Sequence, residues 1–149
     1  MNATRLVLAA LGATVVDGIY GFAVYGTALS KQFAAYPAVF RSAEDGPAAL
    51  PLMFCGILLG MFAVAYIYAK GYEGGNPLQE GLRFGLLVGI FVAGYVIGVD
   101  YGILNIGRRL ALSMALAGMG EWLLVGLTIG LIYRSSLGAG AWSTKAAKV

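Results

Sequence analysis

The sequence contains no histidine and a single cysteine, Cys55. Histidine is the usual protein ligand of haem and the commonest ligand of zinc and copper, so its absence disfavours haem, pigment and metal sites. One cysteine cannot form an intramolecular disulfide. We therefore predict no metal and no cofactor, and we expect only lipids to be bound.

Charged residues are also scarce, at 11% of the chain against 60% hydrophobic residues, and the mean hydropathy is +0.82. A soluble domain has about 25% charged residues, which it needs to cover a surface exposed to water. The shortage predicts that a lipid bilayer surrounds much of this protein. The net charge of +3 forms no basic stripe with interleaved aromatic residues, so the pattern gives no support to nucleic-acid binding.

The motifs that carry catalysis are missing as well. The chain has no phosphate-binding glycine loop, no nucleophilic serine elbow and no cluster of metal ligands. Cys55 lies in an apolar run without a neighbouring base, which is typical of a small buried residue and not of a nucleophile. These features predict a protein that is not an enzyme.

Four long apolar runs take up most of the chain, at about 5–29, 48–69, 81–106 and 110–133. About 20 apolar residues are enough for a helix to cross the hydrocarbon core of a bilayer. The first run is too long for the apolar part of a signal peptide, and Asp17 interrupts it. We predict an all-α fold, an integral membrane four-helix bundle over residues 1–134, with a mobile polar tail at 135–149.

The connector between the first two runs contains aromatic residues at intervals of three and four: Phe33, Tyr36 and Phe40. This pattern predicts a short segment that lies in the headgroup region. An ordinary loop remains the alternative, because Pro37 limits any helix there. After the third run we predict a tight turn at residues 107–109.

Four spans would place both termini on one side of the membrane. An excess of Lys and Arg marks cytoplasmic segments. The side with the termini carries Arg5, Lys70, Arg83, Arg134, Lys145 and Lys148, and the other side carries Lys31, Arg41, Arg108 and Arg109. This difference favours cytoplasmic termini.

The two halves of the chain contain similar short motifs, VVDGIYG around Asp17 and GVDYGIL around Asp100. Each half would hold one pair of helices, so a true repeat would have parallel topology. Chance similarity is the alternative, because the match is short.

Glycines recur every four residues in the last three runs. Lipid removes the hydrophobic drive for helices to associate, and small residues at this spacing let helix backbones approach closely instead. These packing candidates are Gly56, Gly60, Gly81, Gly85, Gly89, Gly94, Gly98, Gly102, Gly126 and Gly130. They could contact helices of the same chain or of another subunit, and their number favours an oligomer or a larger complex.

Carboxylates inside the runs are the features that most require an explanation, because an acidic residue at a helix centre costs about 2.5–3.5 kcal/mol on insertion scales. Asp17 and Glu121 fall near the midplane, and Asp100 lies nearer the second interface, about two turns from Arg108. No Lys or Arg of the chain lies at midplane depth to neutralise Asp17 or Glu121.

Three arrangements of Asp17 and Glu121 remain open. The two side chains could be protonated and hydrogen-bonded to each other or to a neighbouring hydroxyl group. They could share a proton or a cation, as close carboxylates do. They could also meet a basic group supplied by a partner. The candidate hydroxyl groups belong to Thr14, Tyr20, Tyr95 and Thr128.

The stretch GGNPLQEGLRFGLLVGIF, the polar-interrupted third run and a fourth run that ends GLTIGLIYR resemble small bacterial four-helix membrane proteins of unknown function. The resemblance covers most of the chain. It implies the four-helix architecture, and it implies no activity and no site residues.

Two functions follow as hypotheses. The first is an accessory or assembly subunit of a larger complex in a bacterial inner membrane, acting through glycine-mediated helix packing. The second is an oligomeric proton- or cation-coupled transporter or channel that uses the intramembrane carboxylates. The expected partners are the lipid bilayer and other membrane subunits or further copies of the chain.

Overall fold

The computed structural model describes residues 1–42 and 44–134, and these residues form helices and turns without a strand. The predicted tail at 135–149 lies outside the described residues. Among the described residues, four helical spans are long and apolar enough to cross a membrane, so the chain is a multi-pass membrane protein built as a helix bundle. The spans are Ala3–Ala28, Gly46–Gly71, Pro77–Ile103 and Arg108–Tyr133.

Two of the spans are divided by π-helical turns. The first consists of α1 (Ala3–Ala23) and the π-helical segment Val24–Ala28, and a short helix, α2 (Ser30–Ala34), follows it. The second span is α3 (Gly46–Gly71). The third consists of α4 (Pro77–Phe91), the π-helical segment Val92–Val96 and α5 (Ile97–Ile103), and the fourth is α6 (Arg108–Tyr133).

The helix starts follow from local chemistry. The side chain of Asn2 accepts a hydrogen bond from the Arg5 amide, which caps α1. The Asn76 side chain accepts from the amides of Leu78 and Gln79, and Pro77 occupies the first position of α4. The third span therefore begins four residues before the predicted position 81.

The turn after the third span differs from the prediction. The helix ends at Ile103 and not near 106, because Leu104 adopts an extended conformation with φ −96° and ψ 141°. Gly107 precedes α6, and Arg108 is the first residue of that helix. The predicted turn at 107–109 is thus at 104–107, and the two arginines lie in the first turn of a helix.

The four spans pack in a row. Helix α1 lies between α3 and α6, and α6 in turn packs against α4. Helix α3 reaches α4 near the loop that joins them, where the rings of Tyr68 and Phe84 are 5.3 Å apart. The main core lies among α1, α3 and α6 and consists of Ala9, Ala10, Ala13, Met61, Ala65, Tyr68, Val125, Ile129 and Tyr133.

The connector after the first span covers the turn between the third and fourth spans. Helix α2 ends before Pro37, as the proline requires, and irregular turns follow it. Phe33 and Phe40 pack against a small core that includes Leu110, and the Tyr36 hydroxyl accepts a hydrogen bond of 3.0 Å from the Gly107 amide. The aromatic residues predicted to lie among headgroups thus contact the protein itself.

Candidate functional site

Asp17 and Glu121 meet at the interface between α1 and α6. Asp17 lies about 21 Å along the first span, and Glu121 lies about 20 Å along the fourth, at a rise of about 1.5 Å per residue. Because the two helices run in opposite directions, both residues fall near the middle of the membrane. Small buried residues on both helices, including Ala13 and Ala117, let the backbones approach each other.

The carboxyl groups of Asp17 and Glu121 lie close enough for a shared proton to form a hydrogen bond between them. Asp17 is only 8% exposed, and Glu121 is half-buried. Two ionised carboxylates offer acceptors only, so a hydrogen bond between them requires one proton. Neither span contains Lys or Arg between its ends, from residue 6 to residue 28 or from residue 110 to residue 133. The arrangement can therefore hold a proton between two acidic groups.

Two tyrosines from the first span extend this polar cluster. The Tyr25 hydroxyl donates a hydrogen bond of 3.0 Å to Oε2 of Glu121. The Tyr20 hydroxyl donates one of 2.9 Å to the carbonyl oxygen of Ala117, one turn before Glu121 on α6. The two rings lie edge to face with centroids 6.4 Å apart. Both hydroxyl groups thus join the first span to α6 at the level of the carboxyl pair.

The other polar candidates lie away from the pair or bond locally. Thr14 and Thr128 donate to the carbonyl oxygens of Ala10 and Leu124, four residues earlier in their own helices. Threonine in an apolar helix commonly satisfies its hydroxyl in this way. These two hydroxyl groups are therefore used within their own helices.

Two candidates from the third span are separate from the site. Tyr95 is 65% exposed and stacks on Phe91 at a centroid distance of 5.4 Å, because it lies on the outer face of that span. Asp100 is half-buried in α5. Arg108, which the sequence placed within reach of Asp100, instead donates from Nε to the Tyr101 hydroxyl at 3.4 Å.

The candidate glycines divide into two groups. Gly81, Gly85 and Gly89 lie on the α4 face that packs against α6, where Gly126 and Gly130 face them. A Cβ atom on Gly126 would lie 2.5 Å from the Gly85 Cα atom, which leaves no room for a side chain. The remaining candidates have nothing within 4 Å of an added Cβ atom and are exposed: Gly56, Gly60, Gly94, Gly98 and Gly102.

Tyr25 is not among the hydroxyl groups predicted to meet the carboxyl pair, although the sequence contains a usable signal for it. Tyr25 follows Asp17 by eight residues, and residues eight apart lie close to the same face of an α-helix. The π-helical segment Val24–Ala28 changes the helical phase at this point, and a regular period of 3.6 residues does not represent that change.

Comparison of the chain with protein-family models, curated proteins and solved structures gives no match. Within residues 1–42 and 44–134, no three Cys, Asp or Glu side chains come together in a group that could hold a metal ion. The site is thus defined by its own geometry, which is a carboxyl pair between two antiparallel helices with a tyrosine bound to one of the carboxyl groups.

Proposed function

We propose that the chain is an accessory or assembly subunit of a larger complex in a bacterial inner membrane, and that α3 packs against a transmembrane helix of another subunit. The observation that supports this proposal is the contrast between the two groups of glycines. The same four-residue spacing brings α4 and α6 into backbone contact, yet on α3 it leaves Gly56 and Gly60 in open space.

Gly56 and Gly60 lower the stability of α3, and contacts within the described chain do not offset this loss. Glycine inside a helix is about 1 kcal/mol less favourable than alanine. At Gly126 the close approach of α4 explains the residue, because any side chain would collide with backbone atoms. At Gly56 and Gly60 no neighbour in the described chain requires glycine. Contact with a helix from another subunit would give these residues the same role as Gly126.

A groove beside α3 offers the partner a place to pack. It lies between α1 and the first half of α3, has a volume of about 550 Å³ and is lined mainly by apolar side chains, among them Val15, Ile19, Phe22 and Phe54. Gly18 lies at its floor, 4.0 Å from the Phe54 ring when a Cβ atom is added. The second half of α3 packs against α1 through Met61 and Ala65, so α3 is held at one end and open at the other.

The carboxyl pair fits this role as an internal connection. Asp17 and Glu121 face each other, and Tyr25 bonds Glu121, so the polar groups are satisfied inside the chain. A polar contact of this kind holds two helices in register where apolar packing alone is not directional. The positive residues described above favour cytoplasmic termini in this assembly.

The natural cysteine provides a direct test of the proposed interface. Cys55 is exposed, so the prediction from the sequence that it is buried is wrong, and it is adjacent to Gly56 on α3. We expect a photoactivatable crosslinker on Cys55, activated in native membranes, to give a protein adduct of defined mass. The Gly56→Leu/Gly60→Leu variant should lose this adduct, because leucine side chains prevent close approach. The measurement is the adduct mass after purification and its identification by mass spectrometry.

The control moves the label to another exposed position. In a Cys55→Ala/Leu116→Cys variant, the crosslinker lies on α6, where Leu116 is 75% exposed. The adduct formed from Cys55 should be absent from this variant. Labelling of lipid alone at Cys55, or a monomeric protein that copurifies with nothing in mild detergent, would contradict the proposal. An adduct of twice the chain mass would instead identify a second copy as the neighbour.

A proton- or cation-coupled carrier is the second candidate, and the shared carboxyl pair at mid-membrane depth favours it. For a carrier, Glu121→Gln should abolish proton-coupled flux in liposomes, because the glutamine amide cannot take up and release a proton. The change in fluorescence of a pH-sensitive dye trapped inside the vesicles measures the proton flux. A Glu80→Gln variant, changed in the first turn of α4, should keep the flux. Equal flux in wild type and Glu121→Gln would exclude the role of the pair.

A further inference from the structure

An apolar groove between the third and fourth spans lies at the end of the bundle away from the termini. It has a volume of about 270 Å³. Its small residues keep the surface recessed between the two helices, and they are Ala93, Gly98, Ala111 and Ala115. At an α-helical rise of about 1.5 Å per residue, the stretch from Arg108 to Ala115 extends about 10 Å along α6. The groove thus runs from the span end towards the membrane interior.

The mouth of this groove is polar and positively charged. Arg108 and Tyr101 both line it, and Arg108 donates from Nε to the Tyr101 hydroxyl at 3.4 Å. This bond uses one of the five donors of the guanidinium group. Tyrosine and arginine are typical of the headgroup level of a bilayer. The groove is therefore apolar where it lies in the hydrocarbon region, and it has a cation at its mouth near the interface.

The start of α6 adds a second reason to expect an anion there. Arg108 and Arg109 occupy the first turn of the helix, and no side chain caps it. The helix dipole is positive at this end, so two cations are unfavourable unless an anion neutralises them. Asp100, the acidic residue of α5, does not line the groove. A phosphate group at the mouth would contact positive groups from both the side chain and the helix end.

We propose that this groove binds one anionic phospholipid of the surrounding bilayer, with its phosphate at Arg108 and part of one acyl chain between α5 and α6. Arginine holds phosphate through paired N–H donors, and basic pockets between transmembrane helices bind anionic headgroups. The groove has room for part of an acyl chain and not for a folded peptide. This site is separate from the α3 interface, so either proposal can fail alone.

Native mass spectrometry of the full chain in detergent tests the proposal with two lipids of equal acyl chains, phosphatidylglycerol and phosphatidylcholine. We expect one phosphatidylglycerol to be retained about fivefold more strongly than phosphatidylcholine. Arg108→Gln should remove this preference. The matched control, Arg83→Gln, removes a positive charge near the start of α4 and should keep it.

A second variant tests the apolar part of the groove. An added Cβ atom on Gly98 meets nothing within 4 Å, so Gly98→Leu places a side chain in the groove and should weaken binding of both lipids. Gly102→Leu, equally open but outside the groove lining, is its control.

A phosphatidylglycerol with a photoreactive acyl chain should label wild-type peptides within 93–101 and 108–115. Labelling confined to other peptides, equal retention of both lipids, or equal losses from Arg108→Gln and Arg83→Gln would overturn the proposal.

Discussion

The Gly126→Val protein is expected to lose about 3 kcal/mol of folding stability. A Cβ atom at this position would lie 2.5 Å from the Gly81 carbonyl oxygen and 2.6 Å from the Gly85 amide nitrogen. These neighbours are backbone atoms of α4, which cannot rotate away as the end of a side chain can. The α4 and α6 backbones must therefore separate, and the contacts along this helix pair weaken together. Reversible unfolding in detergent, followed by circular dichroism, measures the change.

Gly60→Val is the matched control for this substitution. It makes the same chemical change near the middle of a transmembrane helix, at a position where an added Cβ atom meets nothing within 4 Å. We expect the isolated chain to keep its stability within about 0.5 kcal/mol, as is usual for exposed positions. Equal destabilisation by the two variants would show that close packing of α4 on α6 does not hold the bundle together.

The four spans could be predicted from the sequence, because hydropathy over about 20 residues depends on composition and not on neighbouring helices. The ends of the spans were predicted less accurately than their number and position. The third span begins at Pro77, where the Asn76 cap and the proline act together, and a hydropathy window does not detect caps. It ends at Ile103 because Leu104 adopts an extended conformation, although both Leu104 and Ile106 are apolar.

Which glycines touch another helix could not be predicted. Gly85 and Gly60 lie in similar apolar contexts at the same spacing, but only Gly85 faces a neighbouring helix of this chain. Spacing defines a face of one helix, whereas contact depends on the position of a second helix. The same limit applies to the connector. The sequence shows the spacing of its aromatic residues, but it does not show that Phe33 packs against the core between α5 and α6.

The carboxyl site could be predicted in part. Helix counting placed Asp17 and Glu121 at similar depth from opposite directions, which is a matter of residue number and topology alone. Their contact also requires that α1 and α6 be neighbours, although more than ninety residues separate them in the chain. Tyr25 as the hydroxyl partner of Glu121 depends further on the π-helical segment after α1.

The α1–α6 polar contact and the α4–α6 glycine contact make α6 the central element of the bundle. One side of α6 is held by hydrogen bonds from Tyr20 and Tyr25, and the other by backbone proximity to Gly81 and Gly85. Helix α3 is held mainly through α1.

Glu121→Ala should cost about 2–3 kcal/mol of stability, because it leaves Asp17 and the Tyr25 hydroxyl without their partner in an apolar environment. Glu121→Gln should cost less than about 1 kcal/mol, since the glutamine oxygen still accepts from Tyr25 and its amide can donate to Asp17. The measurement is again equilibrium unfolding in detergent. The difference between the two variants separates loss of hydrogen bonding from loss of charge.

A double-mutant cycle isolates the contact between the two acidic residues. Asp17→Ala and Glu121→Ala are measured singly and together, and we expect a coupling energy of about 1–2 kcal/mol, typical of residues in direct contact. Thr128→Ala paired with Asp17→Ala is the control, because Thr128 bonds its own helix and the two effects should add. Additive costs for Asp17 and Glu121 would mean that the two carboxyl groups are solvated independently, and an internal connection between α1 and α6 through them would then be excluded.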